Sequence, residues 1–293
     1  MPPTFFARAA GAARGRRAVL CVGLDPDPDR RPLPLRSRGP QASLGPFLRG
    51  IVRATRSVAA AYKLQLASYL AHGAAGLRAL EQVRASLGDG VLTILDGKAS
   101  DVPSTMRLLR RAAFDRWRFD AVTATPWMGW DGIEALAEDP ARGVFVVAHS
   151  SNAGSADLQD PPGARRPAWL SVLEGVRRLA RRRPNVGAVV GATYPAAVAR
   201  ARRILGPRIP ILLPGVGAQG GDLGASVGEG IGSVPGSLWV SSSRSILYAS
   251  DGPDWAEAAR REAERLADAI TAADRPRPAG GRPTRSGRSR SAR

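Results

Sequence analysis

Three charged residues follow a short apolar run near the middle of the chain, in the segment TILDGKASDVPST (residues 93–105). Asp96, Lys98 and Asp101 lie directly beyond the apolar residues that end at Leu95. In extended backbone, residues two positions apart project to the same side, so Asp96 and Lys98 are expected to point together. A lysine held by carboxylates stays cationic and can protonate a carbanion as a general acid. An ordinary surface salt bridge is the alternative explanation for these residues.

Lysine is the rare cation of this chain. Of the 43 lysine and arginine residues, only Lys63 and Lys98 are lysines. Arginine remains protonated at any working pH, whereas a lysine ammonium can give up a proton. Two positions have therefore kept a transferable proton, and one of them lies among the carboxylates of the 93–105 segment.

Two segments in the carboxyl-terminal part of the chain have the composition of a phosphate site. PGVGAQGGD (residues 214–222) offers flexible glycine amides to an oxyanion, and WVSSSRSIL (residues 239–247) brings Arg244 close behind it. In β/α barrels, phosphate commonly binds in the loops after the seventh and eighth strands. The order of the two segments therefore predicts that they bind one phosphate group together.

Eight short apolar or small-residue runs must position these side chains, and most are separated by helix-compatible segments. The runs span residues 18–24, 58–64, 91–95, 121–124, 143–148, 186–192, 209–213 and 237–241. Eight such units predict an α/β fold, the (β/α)8 or TIM barrel. A doubly wound open sheet would show the same alternation. Polar residues at the strand ends favour the barrel, whose active sites are built at that rim.

The chain is expected to hold one domain with an extension at each end. Residues 1–17 are predicted to form an amino-terminal extension or helix, and residues 18–273 the barrel. Residues 26–46, PDPDRRPLPLRSRGPQASLGP, are too proline-rich for regular structure and are expected to form a long loop. Residues 274–293 are rich in Arg, Pro, Gly and Ser, which predicts a disordered tail.

The net charge of +18 invites a nucleic-acid-binding interpretation. Seven arginines lie in residues 275–293 with no acid or aromatic residue among them, so weak, nonspecific nucleic-acid contact by the tail is all that is expected. The single cysteine, Cys21, excludes an intrachain disulfide and is assigned to core packing. No run of about 18 to 20 apolar residues and no signal peptide is recognisable, so no membrane contact and a cytoplasmic location are expected.

Several segments resemble the orotidine 5′-phosphate decarboxylase family. LDGKASDVPST (residues 95–105) matches the Asp-x-Lys-x-x-Asp signature of that family, and the glycine-rich and serine-rich segments described above look like its phosphate-binding loops. CVGLDP around Asp25, YKLQ around Lys63 and HSSNAG around Ser151 are similar to the family too. The spacing looks most like the bacterial group with long inserts, often called type 2, and the resemblance covers roughly residues 18–250.

The resemblance implies the conversion of orotidine monophosphate to uridine monophosphate and carbon dioxide in pyrimidine biosynthesis, with no metal or organic cofactor. It implies that Lys98 protonates the pyrimidine carbon that loses carboxylate and that Asp96 faces that carboxylate. Lys63 would bind ribose and orient Asp96, and Asp25 would bind a ribose hydroxyl.

The resemblance also assigns residues to the rest of the substrate and to a partner chain. In this family the second acid and a following threonine reach the neighbouring subunit's site, so Asp101 and Thr105 imply an obligate homodimer. The residues assigned to base and phosphate are Ser151 for the pyrimidine, Gln219 for base and phosphate, Arg244 for phosphate, and the backbone of Gly217 and Ser243. His72 and His149 match no role in the family and are assigned to structure.

Three other functions remain open on the residues alone. A magnesium-dependent sugar-phosphate decarboxylase or synthase of the same superfamily shares the signature. The resemblance implies that such enzymes carry an acidic residue at the end of strand two. Lys63 lies there and would repel the metal. A Schiff-base aldolase needs an apolar or cationic setting for its lysine, whereas carboxylates flank Lys98. A basic nucleic-acid-binding protein is the third, and its affinity would depend on the arginine-rich tail and on salt.

Overall fold

Eight parallel strands close into a barrel in the computed structural model of the chain, which describes residues 3–27, 29–37, 39–88, 90–216 and 222–274. The strands are β1 (Ala18–Gly23), β2 (Ala61–Gln65), β3 (Leu92–Ala99), β4 (Ala121–Ala124), β5 (Gly143–His149), β6 (Val186–Val190), β7 (Ile211–Pro214) and β8 (Leu238–Ser242). Each strand pairs with its neighbour in chain order, and β8 pairs with β1 to close the ring. The (β/α)8 barrel expected from the sequence is confirmed, since each of the eight apolar runs overlaps a strand.

Helices surround the barrel and connect its strands. Within the described residues they are α1 (Phe5–Ala12), α2 (Leu33–Arg36), α3 (Gly39–Thr55), α4 (Leu66–Leu70), α5 (Gly73–Leu87), α6 (Pro103–Arg110), α7 (Trp130–Leu136), α8 (Ser155–Leu158), α9 (Ala168–Ala180), α10 (Pro195–Leu205), α11 (Leu223–Gly230), α12 (Arg244–Leu247) and α13 (Trp255–Ala273). A π-helical segment, Arg111–Arg116, continues α6. None of these helices is long and apolar enough to cross a membrane.

The expectation of a long loop over residues 26–46 is wrong for most of its second half. Residues 33–36 form α2, and residues 39–46 belong to α3, with Pro46 inside that helix. The buried apolar residues of α3 recur at helical spacing, namely Leu44, Phe47, Leu48, Ile51 and Val52. Burial of that face against the barrel outweighs the cost of a proline, which proline content alone does not reveal.

The amino-terminal end of the barrel is closed by α1, which lies within the predicted amino-terminal extension or helix of residues 1–17. Phe5 is buried and packs edge-to-face on Phe145 of β5, with ring centroids 6.0 Å apart. Gly143 leaves the space for this contact, because a Cβ there would lie 2.5 Å from the Phe5 ring. Cys21 is fully buried in the same interior cluster, and burial raises the pKa of its thiol to about 12. Side chains therefore fill the barrel at the amino-terminal ends of its strands, and the barrel is open at their carboxyl ends.

The two ends of the barrel domain meet beside α1. The side chain of Arg17 donates to the backbone oxygen of Asp274 at 2.6 Å, and its backbone N–H donates to Asp274 Oδ2 at 3.3 Å. Asp274, assigned to the tail by its sequence, thus continues the barrel domain by one residue. The arginines predicted to contact nucleic acid weakly lie in residues 275–293, outside the described residues.

A buried arginine joins four segments on the side of the barrel away from the open end. Arg202 of α10 donates to the backbone oxygens of Gly206, Ile209, Gly230 and Ser237 at 2.8 to 2.9 Å. Burial lowers the pKa of its guanidinium to about 10. Arg202 therefore has a structural role, because its guanidinium binds backbone oxygens of four residues at once.

Arg202→Met is expected to lower the free energy of unfolding by about 2 to 4 kcal/mol, because it removes four hydrogen bonds to backbone oxygens, two of them buried. Arg203→Met, one position along and exposed, is the matched control and is expected to change it by less than about 0.5 kcal/mol. Urea denaturation of both variants measures the difference. Equal stability of the two variants would contradict the structural role of Arg202.

Candidate active site

An open cavity of about 640 Å³ lies at the carboxyl ends of the strands. Residues from all eight strands, or from the loops that follow them, line it. Parallel strands bring their carboxyl ends to one rim, so residues far apart in the sequence converge there. The volume falls within the range of small-molecule binding sites.

Four charged side chains form a continuous row on the floor of this cavity. Lys63 Nζ lies 3.2 Å from Asp25 Oδ2 and 2.9 Å from Asp96 Oδ2. Lys98 Nζ lies 2.7 Å from the other oxygen of Asp96, Oδ1. The side chains of Lys63 and Asp96 are buried, whereas that of Lys98 is 43% exposed. The row therefore alternates in charge and ends in an ammonium group that faces the open cavity.

Burial and charge act in opposite directions on the two inner groups. Burial alone would lower the pKa of Lys63, but the carboxylates of Asp25 and Asp96 raise it above its ordinary value. Burial alone would raise the pKa of Asp96, but Lys63 and Lys98 hold that pKa well below its usual range. Both inner groups are therefore charged at neutral pH.

The backbone at Lys98 departs from regular strand geometry. Lys98 has a φ of +46°, in the left-handed region, and the pairing of β3 with β4 shifts register between Leu95 and Ala99. The alternation of strand residues predicts that Asp96 and Lys98 point together, and they do. The contact is nevertheless made across a bulge, because the left-handed residue interrupts simple alternation. Backbone strain of this kind is concentrated at functional sites.

Asp25 is held from three directions. Besides Lys63, it accepts a hydrogen bond from Ser243 Oγ at 2.5 Å and one from the backbone N–H of Gln65 at 3.0 Å. Gly23, at the end of β1, makes the first of these possible, because a Cβ there would lie 1.7 Å from Ser243 Oγ. Asp25 therefore connects the ends of β1, β2 and β8.

The residues assigned to phosphate lie partly within the described residues. Gly215, Ser243 and Arg244 line the same cavity, and Arg244 is exposed at the start of α12. Gly215 has a φ of +95°, which suits glycine and turns the chain out of β7. Gly217 and Gln219 lie outside the described residues.

Ser151 lines the cavity on the side of β5 and β6. Its backbone approaches Gly191 so closely that a Cβ at Gly191 would lie 2.8 Å from Ser151 Cα. Thr193 Oγ1 donates to the backbone oxygen of Ser151 at 3.1 Å, and Gln159 Oε1 accepts from the backbone N–H of Ser150 at 2.8 Å. Neighbouring segments of the same chain therefore hold the loop that carries Ser151 in place.

Three residues in or beside the site received no role from sequence reasoning. Thr123, at the end of β4, donates to Asp96, Gln159 fixes Ser150, and Tyr248 accepts a hydrogen bond from the backbone N–H of Asp27 at 2.8 Å. The position of Thr123 at a strand end is the one signal that the sequence offered. The roles of Gln159 and Tyr248 depend on contacts between distant segments.

Asp101 and Thr105 do not line the cavity. Asp101 Oδ1 accepts a hydrogen bond from the backbone N–H of Val102 at 2.7 Å, and no ion pair of Asp101 occurs among the described residues. The part of the expected charge network that lies within one chain is therefore the row from Asp25 to Lys98.

Neither histidine lines the cavity. His149 lies between Trp169 and Tyr194, with ring centroids 5.1 and 5.4 Å away, and burial lowers its pKa. Burial lowers the pKa of His72 as well. Over the described ranges, no group of three or more His, Cys, Asp or Glu residues is placed to hold a metal ion.

A family model described as orotidine 5′-phosphate decarboxylase / HUMPS matches residues 18–261. The chain belongs to the orotidine 5′-phosphate decarboxylase / HUMPS family. This confirms the family resemblance of the sequence segments. An orotidine 5′-phosphate decarboxylase of Thermomicrobium roseum is 42% identical over 255 residues, covering 86% of this chain and 90% of the relative. One of Bordetella avium is 41% identical over 275 residues, covering 92% and 98%.

Solved structures of the same family share the fold. The OMP decarboxylase of Leishmania donovani superposes with a TM-score of 0.79 at 31% sequence identity, covering 93% of this chain and 99% of that one. The matched regions include all eight strands and the cavity between them. The assignment to the bacterial type 2 group stays a prediction.

Proposed function

We propose that this chain acts as an orotidine 5′-phosphate decarboxylase, a carboxy-lyase of pyrimidine biosynthesis, with Lys98 as its proton donor. The observation that carries this assignment of Lys98 is the row of alternating charges, which ends in the half-exposed ammonium of Lys98 at the cavity. Family membership supports the activity itself.

The proposed reaction takes up one proton from solvent and needs no other reactant. The bond from the pyrimidine ring to its carboxylate breaks, and both electrons stay on the ring carbon as carbon dioxide leaves. Lys98 Nζ donates a proton to that carbon, which yields uridine monophosphate, and the neutral amine then regains a proton from water. No metal or organic cofactor is part of this scheme.

The charges are suited to that reaction because they are in place before it begins. Enzymes lower barriers by about 8 to 23 kcal/mol, and preorganised electrostatics is usually the largest contribution. Asp96 would face the substrate carboxylate, whose departure relieves the repulsion between two anions. Lys98 would stabilise the negative charge that develops on the ring before it transfers its proton. Lys63, held cationic, keeps Asp96 ionised.

The remaining residues are proposed to bind the nonreacting parts of the substrate. Asp25 and Lys63 would bind ribose hydroxyls, and Ser151 would hydrogen-bond the pyrimidine. The residues proposed for the phosphate end are Arg244, the backbone of Ser243, and Gly217 and Gln219 beyond the described residues. Phosphate contacts far from the reacting carbon can drive assembly of the site around it.

A homodimer is proposed as the working assembly. Lys98 has one carboxylate partner within the described chain, which leaves its outer side open to an acid from a second subunit. Three apolar side chains are exposed near Asp101, namely Val102, Trp127 and Met128. The backbone N–H of Met128 donates to Ser100 Oγ at 3.2 Å, so this loop lies beside the segment that carries Asp101. A second chain that covers this surface would receive Asp101 and Thr105 in its own site.

The magnesium-dependent sugar-phosphate enzymes of the superfamily are disfavoured by Lys63. Its ammonium is buried at the end of β2, between the carboxylates of Asp25 and Asp96. A divalent cation at that position would be repelled by this ammonium, which already neutralises the carboxylates.

Turnover of orotidine monophosphate by the purified chain, followed by ultraviolet absorbance, tests the proposed function. We expect full activity in the presence of EDTA, because no step requires a metal ion. A 3-keto-gulonate phosphate should not be decarboxylated with or without Mg²⁺. Loss of orotidine monophosphate turnover on chelation, with recovery on adding Mg²⁺, would favour the sugar-phosphate class instead.

A further inference from the structure

The backbone of Lys98 adopts a conformation that a lysine does not favour. Its φ of +46° lies in the left-handed region, where the Cβ crowds the following carbonyl group. The other non-glycine residues with positive φ in the described part of the chain are Arg14 and Arg118, and neither lines the cavity. Contacts with other residues must stabilise this conformation, because a lysine favours negative φ. A change to negative φ would move the ammonium group of Lys98 away from Asp96.

A single hydroxyl group is bonded to both sides of this turn. The backbone N–H of Lys98 donates to Thr123 Oγ1 at 3.0 Å, and Thr123 Oγ1 donates to Asp96 Oδ1 at 2.7 Å. A backbone N–H can only donate, so the threonine oxygen accepts from it and has its own proton free for the carboxylate. The chemistry of the three groups thus determines the direction of both hydrogen bonds.

The same carboxylate oxygen receives the ammonium of Lys98. Lys98 Nζ lies 2.7 Å from Asp96 Oδ1, while Lys63 Nζ lies 2.9 Å from Asp96 Oδ2. A closed ring of contacts therefore runs from the N–H of Lys98 through the hydroxyl of Thr123 and the carboxylate of Asp96 to Nζ of Lys98. This ring couples the backbone conformation of Lys98 to the position of its own ammonium.

Water has little access to the centre of this ring. Thr123 is 2% exposed and Asp96 is 5% exposed, so a lost hydroxyl would leave the part-buried N–H of Lys98 without this partner. The side chain of Lys98, by contrast, is largely open to the cavity. Its position therefore depends on the bulge and on Asp96 rather than on packing around the side chain.

We propose that Thr123 is a positioning residue for the decarboxylation, whose hydroxyl holds the left-handed backbone of Lys98 and the carboxylate of Asp96 in the arrangement from which Nζ protonates the substrate. This inference rests on the proposed role of Lys98 as proton donor. Without the hydroxyl, the unpaired N–H is relieved when Lys98 leaves the left-handed region, and the ammonium then moves from its place. Thr123 acts through Lys98 and Asp96.

The chain offers a matched control at the opposite end of the barrel. Thr93 Oγ1 donates to Asp120 Oδ2 at 2.8 Å and accepts from the backbone N–H of Asp120 at 3.3 Å. Thr93 is fully buried and lies in β3, the strand that carries Lys98. Thr93→Val therefore removes two hydrogen bonds of the same kinds as those lost in Thr123→Val, one to a carboxylate and one from a backbone N–H, but away from the cavity.

Steady-state kinetics of Thr123→Val, Thr123→Ser and Thr93→Val test the inference. We expect kcat of Thr123→Val to fall about 10- to 100-fold with KM changed by less than about 3-fold. Thr123→Ser keeps the hydroxyl and should retain kcat within about 3-fold of wild type. Thr93→Val should lower the melting temperature and leave kcat unchanged. A kcat of Thr123→Val equal to that of Thr93→Val would overturn the inference, as would an equal loss in Thr123→Ser.

Two further measurements keep the result decisive. If Thr123→Val does not fold, Thr123→Cys replaces it, since a thiol is a weak donor and acceptor, and we expect its kcat to fall by at least about 5-fold. A Thr123→Cys kcat at the wild-type level would also overturn the inference. Inactive wild type, or active Lys98→Arg, would instead refute the proposed function. Fully active Thr123→Val beside inactive Lys98→Arg would refute the role of Thr123 alone.

Discussion

Lys98→Arg is expected to abolish decarboxylation of orotidine monophosphate, with kcat lowered about 10⁴-fold or more. The guanidinium keeps a positive charge beside Asp96, so the electrostatic environment of the site is largely preserved. It does not release a proton at any working pH, and protonation of the ring carbon by this side chain therefore fails. The variant separates proton donation from simple charge stabilisation.

The measurement pairs turnover with binding and folding. The side chain of Lys98 is 43% exposed, so we expect Lys98→Arg to fold with a melting temperature close to that of wild type. Calorimetric titration with uridine monophosphate should show product affinity within about 10-fold of wild type. Lys98→Met, which removes charge and proton together, is the companion variant. Substantial turnover by Lys98→Arg would mean that another group supplies the proton.

Asp96→Asn and Asp101→Asn are each expected to lower kcat about 10³-fold or more, and a mixture of the two inactive chains is expected to recover activity. Asp96 lies in the row of charges of its own chain, whereas Asp101 does not reach that row. In a mixed dimer with shared sites, one site combines two intact aspartates and the other combines two altered ones. Random exchange makes about half of the dimers mixed, so about a quarter of wild-type activity should return.

Subunit exchange must be shown independently, for example by native mass spectrometry of chains that differ in mass. Chains that carry both substitutions provide the control and should stay inactive in any mixture with one another. Subunit exchange without recovery of activity would contradict the shared site. It would mean that Asp96 and Asp101 of one chain act in the same active site. Asp101→Asn alone with full activity would remove Asp101 from the mechanism altogether.

The elements that carry the site could be read from the sequence because they depend on local patterns. Apolar runs of strand length alternate with helical segments, and the charged residues follow those runs directly. The pair Asp96 and Lys98 stood out because lysine is rare in this chain and because both lie at a strand end. The motifs around Asp25, Lys63 and Ser151 are informative because each is a short continuous segment of the sequence.

Other features could not be read because they depend on contacts between distant segments. Residues 33–36 and 39–46 are helical despite their prolines, since the apolar face of α3 is buried against the rest of the fold. Thr123 lies 25 residues from Lys98 in the chain and meets it only when β3 and β4 pair. The left-handed conformation of Lys98 has no sequence signature of its own, because a lysine is not expected at a positive φ.

The number of strands, their order and the residue types at each strand end follow from the pattern of the amino-acid sequence. Which of those residues touch depends on how the strands and helices pack together. Closure of the barrel brings Asp25, Lys63, Asp96 and Lys98 into a row in which neighbouring charged groups lie 2.7 to 3.2 Å apart, and it leaves Asp101 outside the cavity. Charge pairing depends on distances of a few ångströms between strands, whereas local sequence controls only the backbone of each strand.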